Sequence, residues 1–181
     1  MGTWILRETH VKSLHQISTL AIAILALFSP FAGANASSAA LADDSNALAP
    51  TVLDLISVDP KLLTFKKALD RTGISRDLMQ GTNVTVFAPT NAAFDEWPAD
   101  ELAKLFAQPA ALSSLVEIHL VDGYVTLSDL ESRQYLITRL GRLVSVMHDT
   151  PYILINDARV VGGDLRGVNG LVHIIDTVLE P

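Results

Sequence analysis

The spacing of apolar residues changes at His119, and this change limits the folds open to the chain. Before it, apolar residues recur three and four positions apart, as at Leu62, Phe65 and Leu69, which is the spacing of one helix face. After it, short apolar runs such as Tyr152 to Ile155 lie between turn-forming residues, as antiparallel strands do. Helices followed by mostly antiparallel strands predict an α+β fold and not the βαβ alternation of nucleotide-binding domains.

Capping residues set the ends of the helices expected in the first half. Thr51 can cap one short helix, and Asp59 can cap another that ends at Gly73. Two more helices are predicted, over residues 99–106 and 109–117. Their apolar positions are expected in the core, namely Leu102, Leu105, Phe106, Leu112, Leu115 and Val116.

The stretch NVTVFAPTNAAF, residues 83–94, is the exception in the helical half. Asn83 to Phe87 alternates polar and apolar residues, which predicts a strand. Pro89 ends the ladder because it lacks an amide proton, and Thr90 can then cap a short helical turn. No side chain here is an obvious catalytic group, so we expect a structural role.

The last segment, residues 169–181, is expected to close the domain as one long strand. Alternation places Asp176 on the same face as Val172 and Ile174, where a bare carboxylate costs free energy. We therefore expect hydrogen-bond donors for Asp176, and the backbone amides around Pro89 to Asn91 are the candidates.

The first 42 residues have the three-part layout of a secretory signal. Arg7 and Lys12 precede an apolar run over residues 17–28, and a tract of small residues with Ala-x-Ala sites follows. The run is shorter than the roughly 20 residues that a membrane-spanning helix needs. Export is therefore expected, with cleavage after Ala36 or Ala42.

Composition excludes several classes of protein. The 181 residues carry a net charge of -7 and no run of basic residues, which argues against nucleic-acid binding. The sequence has no cysteine, and so no disulfide, thiolate metal site, thiol nucleophile or lipid-modified cysteine. The length left after the signal suits one domain, which we place at residues 48–181.

The sequence offers little that could carry out catalysis. Three histidines follow the signal segment, His119, His148 and His173, and no zinc-protease, nucleophile-elbow or phosphate-loop motif is present. His119 is expected to be hydrogen-bonded at a helix-to-strand junction and His148 to lie in a solvated turn. Gly162-Gly163 is expected to form a turn. We predict a protein that is not an enzyme and uses no metal or cofactor.

Four stretches together resemble a fasciclin-type domain: TVLDLI, TVFAPTNAAF, IHLVDGYV and VVGGDLRGVNGLVHIIDTVLEP. The resemblance covers residues 48–181 and implies a wedge of mostly antiparallel strands flanked by N-terminal helices, in secreted or surface proteins that mediate adhesion. It also implies that TVFAPTNAAF lies against the closing strand and that both motifs are scaffold. The structural motif residues are then Thr85, Phe87, Pro89, Thr90, Asn91, Phe94, Asn169, Gly170, His173 and Asp176.

The middle motif departs from the family pattern. Members often have Tyr-His there, a dipeptide proposed to contribute to integrin binding in animal proteins, whereas this chain has Ile118-His119. Ile118 and His119 are the candidate partner-binding residues, and the departure weakens the case for an integrin as the partner.

These observations favour a secreted, periplasmic or extracellular, non-enzymatic module that mediates adhesion to a cell surface or matrix through a protein, polysaccharide or lipid. The alternatives are an exported carrier of a small apolar ligand, an envelope-stress protein and, last, a cryptic hydrolase. A lone domain that bridges two surfaces must self-associate. An apolar patch around Phe94, Trp97 and Phe106 could form that contact, unless these aromatic side chains fill the core. Asn83 begins a glycosylation sequon, which matters only in a eukaryotic secretory pathway.

We predict that export removes the segment that precedes Ser37 or Asp43, because the short apolar run is followed by Ala-x-Ala sites. N-terminal sequencing of the protein recovered from the envelope or the medium checks this. An intact Met1 terminus in that material would contradict it.

Overall fold

The computed structural model describes residues 49–80 and 83–181, and the expected signal segment and its cleavage sites lie outside the described residues. Within those ranges, none of the helices combines the length and the apolar character that crossing a membrane requires. The helices are α1 (Val52–Val58), α2 (Leu63–Thr72), α3 (Ile74–Gln80), α4 (Asn91–Asp95), α5 (Ala99–Ala107), α6 (Pro109–Ile118) and α7 (Leu127–Ser132).

The strands form one sheet whose spatial order is β2-β1-β7-β6-β5-β4-β3. Their bounds are β1 (Val84–Pro89), β2 (Leu120–Asp122), β3 (Tyr135–Ile137), β4 (Leu143–Asp149), β5 (Tyr152–Ile155), β6 (Ala158–Gly167) and β7 (Gly170–Ile175). Among the strands of the described residues, only the β1–β7 pair is parallel, and the other pairs are antiparallel. The predicted α+β class, with mostly antiparallel strands and helices, is confirmed.

The helix ends follow the local signals in the sequence. Thr51 caps α1 through a reciprocal capping box with Asp54, and Asp59 caps a 3-10 turn that leads into α2. Gly73 ends α2 in the left-handed region at a φ of 78°, where a side chain is costly. Two helices, α3 and α7, were not predicted, because both are short and α3 follows α2 after one residue.

The parallel pairing of β1 with β7 joins the two motifs of the sequence. Its register runs from Val84 opposite Gly170 to Pro89 opposite Ile175, and neither strand lies at an edge of the sheet. Pro89 closes the ladder, after which the Thr90 amide donates to the Ile175 carbonyl at 3.1 Å. The expectation that the opening motif lies against the closing strand is confirmed.

Two hydrophobic clusters lie against the sheet. The first joins α1, α2, α3, α4 and α6 to β1 and β7, with Phe65 and Phe94 among its fully buried side chains. The second joins Phe87 and Ile175 to the inner face of β3, β4 and β5. Because β1 and β7 are buried on both faces, they divide the domain into a helical half and a strand half.

The structure corrects three expectations about secondary structure and burial. The closing strand stops at Ile175, and residues 176–181 continue without strand pairing. Gly162 and Gly163 lie inside β6, at irregularities of its register with β7, and not in a turn. Helix α5 has no fully buried residue, so its predicted core positions, Leu102, Leu105 and Phe106, only pack partly buried against the first cluster.

Gly170 lies where the backbones of β1 and β7 approach closely. A Cβ atom at this position would lie 1.9 Å from the Val84 carbonyl oxygen and 3.0 Å from the Val52 side chain. A backbone atom cannot move aside as the end of a side chain can, so the parallel pair and the docking of α1 both depend on glycine here.

We predict that Gly170→Ala lowers the free energy of unfolding by about 3 kcal/mol or more, because the added methyl group overlaps the Val84 carbonyl. Gly162→Ala is the matched control, since its Cβ would make an ordinary 3.4 Å contact with Ile174, and we expect a change below about 1 kcal/mol. Urea denaturation of both variants measures the difference. Equal stabilities would show that the strands can separate at little cost.

Candidate functional site

The polar residues of the two motifs connect elements inside the domain. Asn169 accepts a hydrogen bond from the Val52 amide at 2.9 Å and donates to the Leu78 carbonyl, which ties the β6–β7 turn to α1 and α3. Asn91 accepts from the Thr64 amide at 2.9 Å and donates to the Pro60 carbonyl at 2.8 Å. Both amides therefore satisfy backbone groups at helix ends.

Two threonines in the opening motif have equally local roles. The Thr90 hydroxyl caps α4 by accepting from the Ala93 amide at 3.3 Å. Thr85 is fully buried, donates to the Gly123 carbonyl at 2.7 Å and accepts from the Val125 amide at 2.9 Å. Thr85 thereby holds the segment that follows β2 against β1.

His119 is fully buried at the junction between α6 and β2, as expected. Its Nε2 accepts from the Leu179 amide at 3.0 Å, so the proton of the neutral ring is on Nδ1, which donates to the Leu115 carbonyl at 2.6 Å. The Phe65 ring lies against it, with the centroids 5.5 Å apart. Burial lowers the pKa of His119 from its ordinary value to about 4.

His173 on β7 is a second buried imidazole with the opposite tautomer. Its Nε2 donates to the Val125 carbonyl at 2.7 Å, and its Nδ1 accepts from the Asp164 amide at 3.2 Å. The Phe87 ring stacks on it at 5.4 Å. Burial also lowers the pKa of His173 below its usual value.

Asp176 has donors, but they differ from those expected. Its Oδ1 accepts from the Arg159 amide at 2.8 Å and from the Thr177 hydroxyl at 3.1 Å. The amides of residues 89–91 do not reach it, because the strand ends at Ile175 and the chain turns so that Asp176 lies beside the start of β6. The side chain is half-buried, and the carboxylate fixes the end of β7 to β6.

Ile118 and His119 do not form a surface that a partner could contact. Ile118 is 2% exposed and packs into the second hydrophobic cluster. His119 is 0% exposed and packs against the Phe65 ring. Any effect of this pair on binding would therefore have to pass through the packing of the domain. Phe94 is also buried, which removes it from the expected self-association patch, while Trp97 and Phe106 are partly buried against the first cluster.

The described residues contain no assembled catalytic or metal-binding group. No cluster of three His, Asp or Glu residues in this part of the chain has metal-binding geometry. His148 lies exposed in β4 and not in a turn, with its Nε2 3.3 Å from the Leu130 carbonyl. All buried side-chain nitrogen and oxygen atoms of the described residues have hydrogen-bond partners, so none is left aimed at a ligand.

The most unusual surface is one that the sequence motifs do not mark. Directly paired residues share a face of a sheet, so the registers of β3 to β6 place a set of exposed apolar side chains together. We call this surface the outer face, and its apolar members are Tyr135, Ile137, Leu143, Met147, Tyr152 and Val161. The Arg159 guanidinium lies over the Tyr152 ring, 5.2 Å from its centroid. In the sequence, these strands have apolar residues on both of their faces. This pattern resembles that of a buried strand and does not mark an exposed face.

We predict that stability falls as the pH is lowered from about 6.5 to about 4. Unfolded histidine binds a proton near pH 6.5, whereas folded His119 does so only near pH 4, so the unfolded state binds more protons in this window. The neutral ring contributes fully above pH 6.5, and the loss at pH 4 is on the order of 3 kcal/mol.

Urea denaturation across this pH range, with wild type, His119→Gln and His148→Gln, measures the effect. His119→Gln should reduce the pH dependence but not abolish it, because the pKa of His173 is also lowered and His173 remains. His148→Gln, which changes an exposed histidine, should leave the pH dependence intact. A wild-type stability that is constant from pH 6.5 to 4 would contradict the assignment of a neutral buried ring.

The chain is similar to parts of several known proteins. Cell surface glycolipoprotein MPB83 of Mycobacterium bovis is 35% identical over 105 residues, which are 58% of this chain and 47% of that protein. Transforming growth factor-beta-induced protein ig-h3 of Sus scrofa is 29% identical over 131 residues, 72% of this chain and 19% of that protein. The chain thus spans about half, or less, of the length of these relatives.

A solved structure of a FAS1 domain pair from the insect cell adhesion molecule fasciclin I has the same fold. Its TM-score is 0.61 at 24% identity, and the alignment covers 73% of this chain and 51% of that one. The fasciclin domain family profile matches residues 60–181, which include the paired motif strands and both buried histidines. The chain therefore belongs to the fasciclin domain family.

Proposed function

We propose that the protein is an exported, non-enzymatic binding module that attaches to a component of a cell surface or extracellular matrix. The observation that carries the proposal is the outer face, where Tyr135, Ile137 and Leu143 are 61%, 66% and 68% exposed. Contiguous apolar surface of this kind is costly in water and is typical of interaction sites.

The distribution of polar contacts supports a binding role over a catalytic one. The buried motif side chains are engaged with backbone groups of the domain itself, as at Asn169, Thr85 and His173. A catalytic acid, base or nucleophile needs a free functional group that faces a substrate. The outer face offers instead mainly aromatic and aliphatic side chains, and its polar members by the same registers are Ser145, Asp149 and Arg159. Aromatic residues, methionine and arginine are enriched at protein interfaces.

The family relationship supports the same proposal. One relative is named as a cell surface protein, and the solved structure with the same fold comes from a cell adhesion molecule. The signal-like segment at residues 1–42 agrees with export to the compartment where such contacts are made.

A cleft in the helical half supports a second candidate function, the carrier of a small apolar ligand. The cleft has a volume of about 480 Å³ and is lined by Trp97, Leu105, Leu115 and Leu140, with Arg142 at its side. This volume lies within the range of small-molecule sites. It is an open groove and much less enclosed than most such sites, so we place this function second.

We predict that the purified domain is retained on native cell-wall or membrane fractions and that Leu143→Arg reduces retention about tenfold. The charge would have to be desolvated at the centre of the contact. Val58→Arg is the matched control because Val58 is 77% exposed but lies at the end of α1, away from the outer face. A pull-down series measures retention. Equal retention of the two variants, or none of the wild type, would contradict the proposed function.

A further inference from the structure

The two edges of the sheet converge on one slot. Strands β2 and β3 are the outermost strands at opposite ends of the strand order. Residues Val121–Val125 form one wall of a cleft of about 380 Å³, and Arg133 with Tyr135–Ile137 forms the other. We call this cleft the edge slot. It closes at one end, where the Arg139 amide donates to the Leu120 carbonyl at 2.7 Å and the Arg139 side chain pairs with Asp122.

The hydrogen-bond register leaves the backbone groups of β3 directed into this slot. The Val146 amide donates to the Gln134 carbonyl at 2.8 Å, and the Thr138 amide donates to the Arg142 carbonyl at 2.9 Å. In an antiparallel ladder, hydrogen-bonded pairs alternate along the strand, so the groups of residues 134, 136 and 138 face β4. The amides and carbonyls of Tyr135 and Ile137 therefore point away from β4, toward the slot.

Strand β2, on the opposite side of the edge slot, also directs backbone groups away from its neighbouring strand. The Phe87 amide donates to the His119 carbonyl at 2.9 Å and the Gly123 amide donates to the Asn83 carbonyl at 2.9 Å, so alternate groups of β2 face β1. The groups of Leu120 and Asp122 then point outward, as the contact from Leu120 to Arg139 confirms. The slot thus lies between two unpaired strand edges that diverge from a closed end.

We propose that the edge slot binds one extended segment of a partner polypeptide, which adds a strand to β3. Strand addition satisfies the outward amides and carbonyls of Tyr135 and Ile137 with main-chain hydrogen bonds. The partner's side chains on one face of the added strand would lie beside the exposed side chains of Tyr135 and Ile137 and would extend the outer face. The proposal rests on the proposed function, because it names the kind of partner that this surface contacts.

Shape and charge favour a single strand of another protein over a second copy of this chain. The slot is closed at Arg139 and walled by β2 on its far side, so a folded sheet edge would meet that wall, whereas one strand would not. Asp122 and Arg133 both line the slot. The Asp122 carboxylate is paired with Arg139 at 2.6 Å, whereas no carboxylate of the described residues lies within 4.0 Å of the Arg133 guanidinium. An acidic residue beside the apolar positions of the partner segment would complement this charge.

The test uses the full domain and an acetylated, amidated hexapeptide of sequence Thr-Val-Tyr-Val-Thr-Asp as the probe. Main-chain bonding supplies most of the affinity in strand addition, so a generic alternating peptide is an adequate probe. We expect the amide signals of Tyr135 and Ile137 to shift in NMR titration and to become protected from hydrogen exchange. Methylating the peptide nitrogens at alternate positions should weaken binding about tenfold, because it removes the donors and keeps the side chains.

Ile137→Pro provides the matching change in the protein. It removes an outward amide while the ladder to β4 keeps the groups of Leu136 and Thr138, and it should also weaken binding about tenfold. If this variant does not fold, the methylated peptide still decides the question. Equal binding of the two peptides, shifts confined to other strands, or no binding at millimolar peptide would overturn strand addition. Retention on surface fractions that survives such a result would leave the proposed function standing.

Discussion

The parallel pairing of β1 with β7 is the contact on which the rest of the domain depends. Each strand is mostly apolar and is buried on both faces, so the pair lies between the helical cluster and the strand cluster and joins them. The approach of the two backbones is possible only because position 170 has no Cβ. The opening and closing motifs of the sequence are therefore two parts of one structural requirement, although about eighty residues separate them along the chain.

The buried polar side chains complete this arrangement. Burying an amide, a hydroxyl or an imidazole costs free energy unless each polar atom finds a partner, and here those partners are backbone groups at element ends. Asn169 serves α1 and α3, Thr85 serves the segment after β2, and His119 fixes the chain beyond β7 through the Leu179 amide. These residues make the position of each element specific, which hydrophobic packing alone does not do.

The division of the domain into two halves has a consequence for function. The helical half covers β1 and β7, whereas β3, β4 and β5 are covered on one face by the second cluster. Their outer face keeps tyrosine, leucine, isoleucine and methionine side chains in solvent, and the adjoining strand edges remain unpaired. Exposed apolar surface next to free main-chain donors and acceptors favours aggregation unless a partner uses it, so a binding role gives this surface a reason to persist.

Local signals in the sequence were sufficient for much of the framework. Thr51, Asp59 and Gly73 set helix ends through interactions within a few residues, and the alternation after His119 determined the α+β class. The resemblance of the motifs to a fasciclin-type domain also implied that β1 and β7 would meet. Burial, register and long-range partners could not be obtained this way, because each depends on which distant segment lies beside a given residue.

Three residues show this difference. Asp176 was expected to need donors, but the donor is the Arg159 amide, which only the end of β7 and the start of β6 bring within reach. Ile118 was a candidate contact residue from its motif, and packing places it inside the second cluster. Leu143 looks like any apolar strand residue, and only the coverage of one sheet face decides that it stays in solvent. Chain-local energetics determined the elements of this protein, whereas the packing of one element on another determined which of its surfaces can bind.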